Sequence, residues 1–245
     1  MVGRIISGLA ALLLAFAPAA AAAKAIVKDG FSLPDSRPAT IAVFRPDVEV
    51  GSLGVGGVPE TNADWTTDAR KYLAVALAQS QKTQRHKIVI LNEPGAKVAT
   101  AHAEYRALFR AVSGAVMQHK MFPGNRLPTK KDRFDWTMGP GVAALAPMTG
   151  NADYGLFFYT YDQYGTDSRK AAQIMGLLLG GGLMPAGVHI GYAGLADLKT
   201  GDIVWFNTDV AMGGDVRTAA GAAKRVDQLL RGFPGLPAPV AVSAK

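Results

Sequence analysis

Few residues in this chain could do chemistry, and they are widely spaced. Cysteine is absent, which removes thiolate metal sites, iron–sulfur clusters, disulfides and a cysteine nucleophile. The histidines are His86, His102, His119 and His189, and none falls in HExxH or another two-histidine helical pair, so no metal or cofactor is expected. His102-Ala103-Glu104 has the H-x-E form of zinc deaminases, but the Pro-Cys-x-x-Cys partner cannot exist here. His102 and His119 are expected as solvated helix residues and His189 as a hydrogen-bonded strand residue. The glycines from Gly51 to Gly57 lack both a following Gly-Lys-Ser or Gly-Lys-Thr and a G-x-G-x-x-G entering a helix, so a mobile loop is expected rather than a phosphate cradle. No G-x-S-x-G elbow occurs, which leaves serine hydrolysis without support.

Ionisable groups gather instead after three strand-like runs. Arg45, Asp47 and Glu49 follow TIAVF, Asn92 and Glu93 follow KIVIL, and Asp162, Asp167 and Arg169 follow YGLFFYTY. In an open α/β sheet, ligands occupy the crevice beyond the carboxyl ends of parallel strands. Arg45, Asp47, Asn92, Glu93, Asp162 and Arg169 are therefore the candidate ligand-binding set, with Asp47 and Asp162 able to do acid–base work if they share that edge. The competing reading is loop solvation and helix capping. A second candidate is a patch for an anionic surface, formed by Arg126, Lys130, Lys131, Arg133 and Trp136 with Phe122 and Phe134 interleaved. Against it stands a solvated loop pinned to the body by Trp136 and Phe134.

The elements that must position these groups follow from periodicity. Thr40–Phe44, Lys87–Leu91 and Tyr154–Tyr161 are apolar, β-branched or aromatic runs that read as strands. Apolar residues recurring every three or four positions predict helices near 65–76, 98–115, 167–179 and 215–231. Val188–Leu198 and Ile203–Asn207 flank Lys199-Thr200-Gly201-Asp202, a tight turn whose glycine can take positive φ, and so predict an antiparallel hairpin. Residues 46 to 63 read as irregular and residues 121–151 as a Pro- and Gly-rich insertion. Helical crossovers favour parallel neighbours, so the order predicts a three-layer α/β sandwich: a mixed, mostly parallel sheet with a C-terminal antiparallel hairpin and helices on both faces. The expected organisation is a lead-in arm at 24–39, one α/β domain at 40–234 and a flexible tail at 235–245. Glycines and Pro185 break the uncharged stretch Ala171–Ala196 and argue against a membrane span.

The balance of 26 Lys plus Arg against 19 Asp plus Glu, with 49% hydrophobic residues, belongs to a globular protein and excludes disorder and collagen. The first residues carry a destination: Arg4, an apolar core from Ile5 to Phe16, Pro18 and small residues through Ala21-Ala22-Ala23 have the order of a cleavable signal peptide, 1–23. Cleavage there removes only Arg4 among the charged residues, so the mature chain stays basic. Export predicts a periplasmic or secreted protein with no nucleic acid partner, and it makes anionic envelope lipid or polymer available to the positive charge.

Several segments together resemble proteobacterial envelope proteins of the curli-secretion lipoprotein (CsgG-like) family and the amino-terminal domain of TolB. They are IAVFRPDVEV, ADWTTDARKYLAVAL, FDWTMG, ADYGLFFYTYD and LADLKTGDIVWFN before a helix ending LLRGFP, and they cover most of residues 40 to 234. The most recognisable part is the hairpin Leu195–Asn207. The resemblance implies a non-catalytic role in envelope assembly, secretion or activation through contacts with envelope proteins. The lipoprotein cysteine is missing, and no segment shows the alternating strands of an outer-membrane pore. The expected function is thus that of a soluble exported binding or assembly-accessory protein. The alternatives are an enzyme with a carboxylate site at the strand ends, or a peripheral binder of anionic envelope lipid or polymer.

Overall fold

Strands and helices alternate largely as the periodicity predicts. Strands β1 (Ile26–Val27), β2 (Thr40–Val43), β3 (Asp47–Leu53) and β4 (Pro59–Thr61) precede α1 (Ala63–Ser80), β5 (Lys87–Ile90) and α2 (Ala96–Val116). After three short helical segments and α3 (Ala146–Thr149) come β6 (Tyr154–Gly165), α4 (Asp167–Leu178), β7 (Gly187–Asp197), β8 (Ile203–Asp209) and α5 (Ala219–Leu229). The structure, a computed structural model, describes residues 25–34, 36–80, 85–130, 133–178 and 187–236. The expected signal segment, Lys131 of the basic patch and almost all of the tail lie outside the described residues.

The twelve-residue β6 organises the sheet, whose order is β1-β8-β7-β6-β2-β5. Its first residues pair in parallel with β2, from Ile41↔Tyr154 to Val43↔Leu156. Its later residues pair in parallel with β3, from Asp47↔Tyr159 to Leu53↔Gly165. Thus β2 and β3 form one bent strand along the same edge of β6. It is interrupted at Arg45-Pro46, where proline supplies no N–H to a ladder. The sheet is mixed, as expected, but β6 and β7 are antiparallel neighbours, from Tyr154↔Asp197 to Tyr164↔Gly187. The expectation that helical crossovers favour parallel neighbours fails at this one, because α4 joins two adjacent strands at one end of the sheet instead of crossing it. Strands β3 and β4 are a second correction. They form an antiparallel hairpin inside residues 46 to 63, because pairing of β3 with β6 overrides the weak strand preference of its glycine.

Helices cover both faces, giving the three layers. On one side Ala69, Leu73 and Leu77 of α1 meet Ala222, Val226 and Leu229 of α5 over Val48, Val50, Leu156, Phe158 and Trp205. On the other, Phe109 and Val116 of α2 pack with Phe134, Val142 and Leu145 on Phe157, Tyr159 and Phe206. Successive β6 side chains therefore serve opposite cores, as strand geometry requires. The 121–151 insertion docks on the β7–β8 turn: Met138 N donates to Gly201 O at 2.8 Å and Ile203 N to Trp136 O at 2.9 Å. Among the described residues no helix is long and apolar enough to cross a membrane.

Gly201 has φ of +78°, and a Cβ there would lie 2.0 Å from the carbonyl oxygen of Gly139. Backbone strain and the collision act together, so Gly201→Val is expected to cost about 2 kcal/mol or more in urea unfolding. Gly56→Ala, where a Cβ meets nothing within 4 Å, should stay within about 0.5 kcal/mol of wild type.

Candidate functional site

The densest polar arrangement lies on the α1/α5 side, at the later end of β6. Arg225 of α5 and Asp162 of β6 both have side-chain exposure of 0%. A guanidinium has five N–H donors, and here all are used. Nη1 donates to Thr160 Oγ1 at 2.7 Å and Asp162 Oδ2 at 2.9 Å, Nη2 to Asp162 Oδ1 at 2.8 Å and Gly214 O at 2.9 Å, and Nε to Gly213 O at 3.4 Å. The carboxylate is equally saturated. Besides Arg225 it accepts from the Thr160 hydroxyl at 2.5 Å and from His189 Nδ1 at 2.8 Å. Burial by itself would raise the Asp162 pKa, but the His189 hydrogen bond and the Arg225 charge reverse that and hold it below the ordinary carboxylate value.

An ionised, acceptor-only carboxylate fixes the tautomer of its partner: Nδ1 of His189 carries the proton, and Nε2 of the singly protonated ring presents a lone pair. That nitrogen lies toward Gly187, where a Cβ would stand 2.9 Å from it, so the glycine leaves space beside it. The His189 side chain is 28% exposed. It forms part of the wall of a cleft of about 710 Å³ with Ser52, Trp65, Tyr164, Lys170 and Arg217. The Arg217 guanidinium lies over two rings, 3.8 Å from the Tyr164 centroid and 4.6 Å from that of Trp65. Its Nε and Nη2 donate to Asp215 at 2.9 and 2.7 Å. This contact, with burial opposing, brings the Asp215 pKa down to about 2.

The six residues of the candidate ligand set do not converge. Asp47 pairs across the ladder with Tyr159, and Asp162 lies three positions further along β6, so the two carboxylates project to opposite faces. Asp47 is met on the α2 side by Arg106 at 3.3 Å and Arg110 at 3.6 Å, and Arg110 also binds Glu49 at 2.7 Å. Arg110 further lies over the Tyr159 ring, whose hydroxyl is pushed up to about 12 by burial and by Glu49. Arg45 pairs with Glu93, Asn92 is exposed, and Arg169 donates to Gly54 O at 2.9 Å. Acid–base work shared by Asp47 and Asp162 is ruled out by this parity and by the full acceptor complement of Asp162.

His102 departs from the solvated role expected of it: it is buried and stacks on Phe44, and burial lowers its pKa. In the basic patch, Lys130 lies 4.9 Å from the Trp136 ring and 3.1 Å from Asp135, while Arg126 and Arg133 are exposed. His189 is the hydrogen-bonded strand residue expected of it, and the residues missed from sequence are Arg225, Tyr164, Trp65 and Arg217. One signal was available: Arg225 interrupts the buried face of α5 formed by Ala222, Val226 and Leu229, and Asp162 interrupts an aromatic strand. Opposite charges within two otherwise buried surfaces call for each other.

No family model and no curated protein matches the chain. Among solved structures it is similar to two crystals of the PelC dodecamer from Paraburkholderia phytofirmans. The first, of a single-substitution variant, has 14% identity and a TM-score of 0.35 over 85% of this chain and 94% of that one. The second has 15% identity and a TM-score of 0.33 over 84% and 95%.

Removing one partner of a buried ion pair costs about 3–5 kcal/mol, whereas replacing both with apolar groups is close to neutral. Arg225→Met should therefore lose about that much in urea unfolding, and Arg225→Met with Asp162→Leu should recover a large part. Because the folded pKa of Asp162 is depressed, its contribution is complete above the unfolded value near 3.9 and disappears as pH falls through the folded value. Arg225→Met should flatten that acid limb, read from stability measured between about pH 5 and 2.

Proposed function

We propose that this chain is an exported protein of the cell envelope that acts by non-catalytic binding, assisting assembly through contacts with other envelope proteins. One observation carries the reading. The β3–β4 hairpin and α4 place Val55, Val58, Ile174 and Met175 at one end of the sheet with exposures of 50, 68, 64 and 58%. The Arg169 hydrogen bond to Gly54 O draws the first turn of α4 onto the hairpin loop. Ile174 and Met175 then lie about 8–9 Å further along the helix at 1.5 Å per residue. Exposed apolar groups gathered in this way mark contact surfaces. Export is supported by the order of Arg4, the apolar core from Ile5 to Phe16 and Ala21-Ala22-Ala23. The likeness of Leu195–Asn207 to the curli-secretion and TolB hairpins favours the same role.

Fractionation of cells expressing the full chain should recover it outside the cytoplasm with Lys24 as its first residue. A photo-crosslinking benzoylphenylalanine at position 175 should give discrete envelope-protein adducts, and the same group at Asp68 on α1 should give none. Val58→Asp with Lys24-processed protein otherwise intact should abolish the adducts while stability moves by no more than about 0.5 kcal/mol. Retention in the cytoplasm, or adducts indifferent to both positions, would refute the reading.

A further inference from the structure

We infer that the cleft bounded by Ser52, Trp65, Tyr164, Lys170, His189 and Arg217 binds a small hydroxylated carboxylate of the sugar-acid class. The ligand carboxylate sits at Arg217 and Lys170, and a hydroxyl donates to His189 Nε2. The groups that line the cleft ask for different chemistry. At His189 the Asp162 carboxylate accepts from Nδ1 at 2.8 Å and has its remaining positions filled by Arg225 and Thr160. In the singly protonated ring the lone pair on Nε2 repels an anionic oxygen and requires a proton donor, such as a hydroxyl. Gly187 keeps the approach open, since any Cβ there would contact Nε2 at 2.9 Å.

Arg217 and Lys170 bring charged donors to the same cleft, each beside a carboxylate, Asp215 and Asp167. Arg217 is fixed in plane by stacking on Tyr164 and Trp65, and Asp215 occupies its Nε and Nη2. Its Nη1 has no acceptor among the described residues, so an oriented charged donor remains for an incoming carboxylate. Lys170 Nζ is 3.0 Å from Asp167, a carboxylate with side-chain exposure of 100%. An ion pair that open contributes little and yields readily to a competing anion. The Ser52 hydroxyl can give or receive a hydrogen bond to a further ligand oxygen. A simple anion leaves Nε2 unmatched, a neutral polyol leaves the cations unmatched, and a hydroxy acid satisfies both. The volume, about 710 Å³, falls within the range of sites for small molecules. This cleft is distinct from the apolar surface of Val55, Val58, Ile174 and Met175, so the inference stands apart from the proposed role.

Isothermal titration of the processed protein with sodium D-glucuronate tests it, with D-glucose, acetate and inorganic phosphate as comparison ligands. Glucuronate should bind saturably and roughly tenfold or more tighter than each of the other three, the effect of one well-made charged hydrogen bond. Lys170→Met and His189→Ala should each weaken it by roughly tenfold. In nitrogen-15 spectra of the wild type, glucuronate should shift Nε2 of His189 and leave His119 unmoved. Equal affinity for glucose, acetate or phosphate, unchanged affinity in Lys170→Met, or an unmoved His189 resonance would each overturn the inference. Lys170 is largely exposed, at 59% of its side chain, so its variant folds and the test survives a misfolded His189→Ala.

Discussion

A guanidinium with no solvent-accessible surface can stay charged only where the protein replaces its hydration completely, and Arg225 is such a group. Asp162 neutralises it, while Thr160 and the carbonyls of Gly213 and Gly214 take its remaining protons. Three separate pieces of structure are thereby held in register: the later half of β6, the face of α5 and the segment that enters α5. The pair is poor as a source of net stability, because desolvating both charges offsets most of their attraction. It is strong as a constraint, since any packing of α5 that separates them leaves two buried charges unmet. His189 then takes its orientation from the same carboxylate, and the cleft inherits a fixed wall.

The length of β6 makes this possible. A twelve-residue strand reaches past β2 to pair with β3, and its side chains alternate between two cores. Leu156, Phe158, Thr160 and Asp162 face α1 and α5, and Phe157 and Tyr159 face α2. The molecule consequently holds two ionic networks back to back. One is fully buried and hydrogen-bonded to saturation. The other, with Arg106 and Arg110 against Asp47 and Glu49, is partly open to solvent and therefore screened and weaker.

How much of this was legible in the sequence depends on the range of the forces involved. The runs TIAVF, KIVIL and YGLFFYTY declare themselves as strands because β-branched and aromatic residues favour a pleated, buried surface whatever lies opposite. The Lys199-Thr200-Gly201-Asp202 turn is equally local, and Gly201 has the positive φ it was assigned. Asp47–Val50 at the start of β3 alternates polar and apolar residues as well, but the run is too short to stand out before the glycines that follow. Only the ladder with β6 makes it a strand. Arg225 was legible in principle as a charge on the apolar face of α5, yet a helix pattern cannot say whether such a charge is buried or reaches past its neighbours to water.

The sequence by itself determined the mixture of strands and helices, their order and the exclusion of cysteine chemistry, because these depend on residue type and on spacings within a turn or two of chain. Tertiary structure alone decided which charged groups meet. Asp47 and Asp162 both follow strand runs, but the ladder register sets Asp47 opposite Tyr159, and that parity sends the two carboxylates to opposite faces. Asp162 instead finds Arg225, 63 residues away, because docking α5 on the sheet brings together two buried charges whose desolvation neither could bear alone.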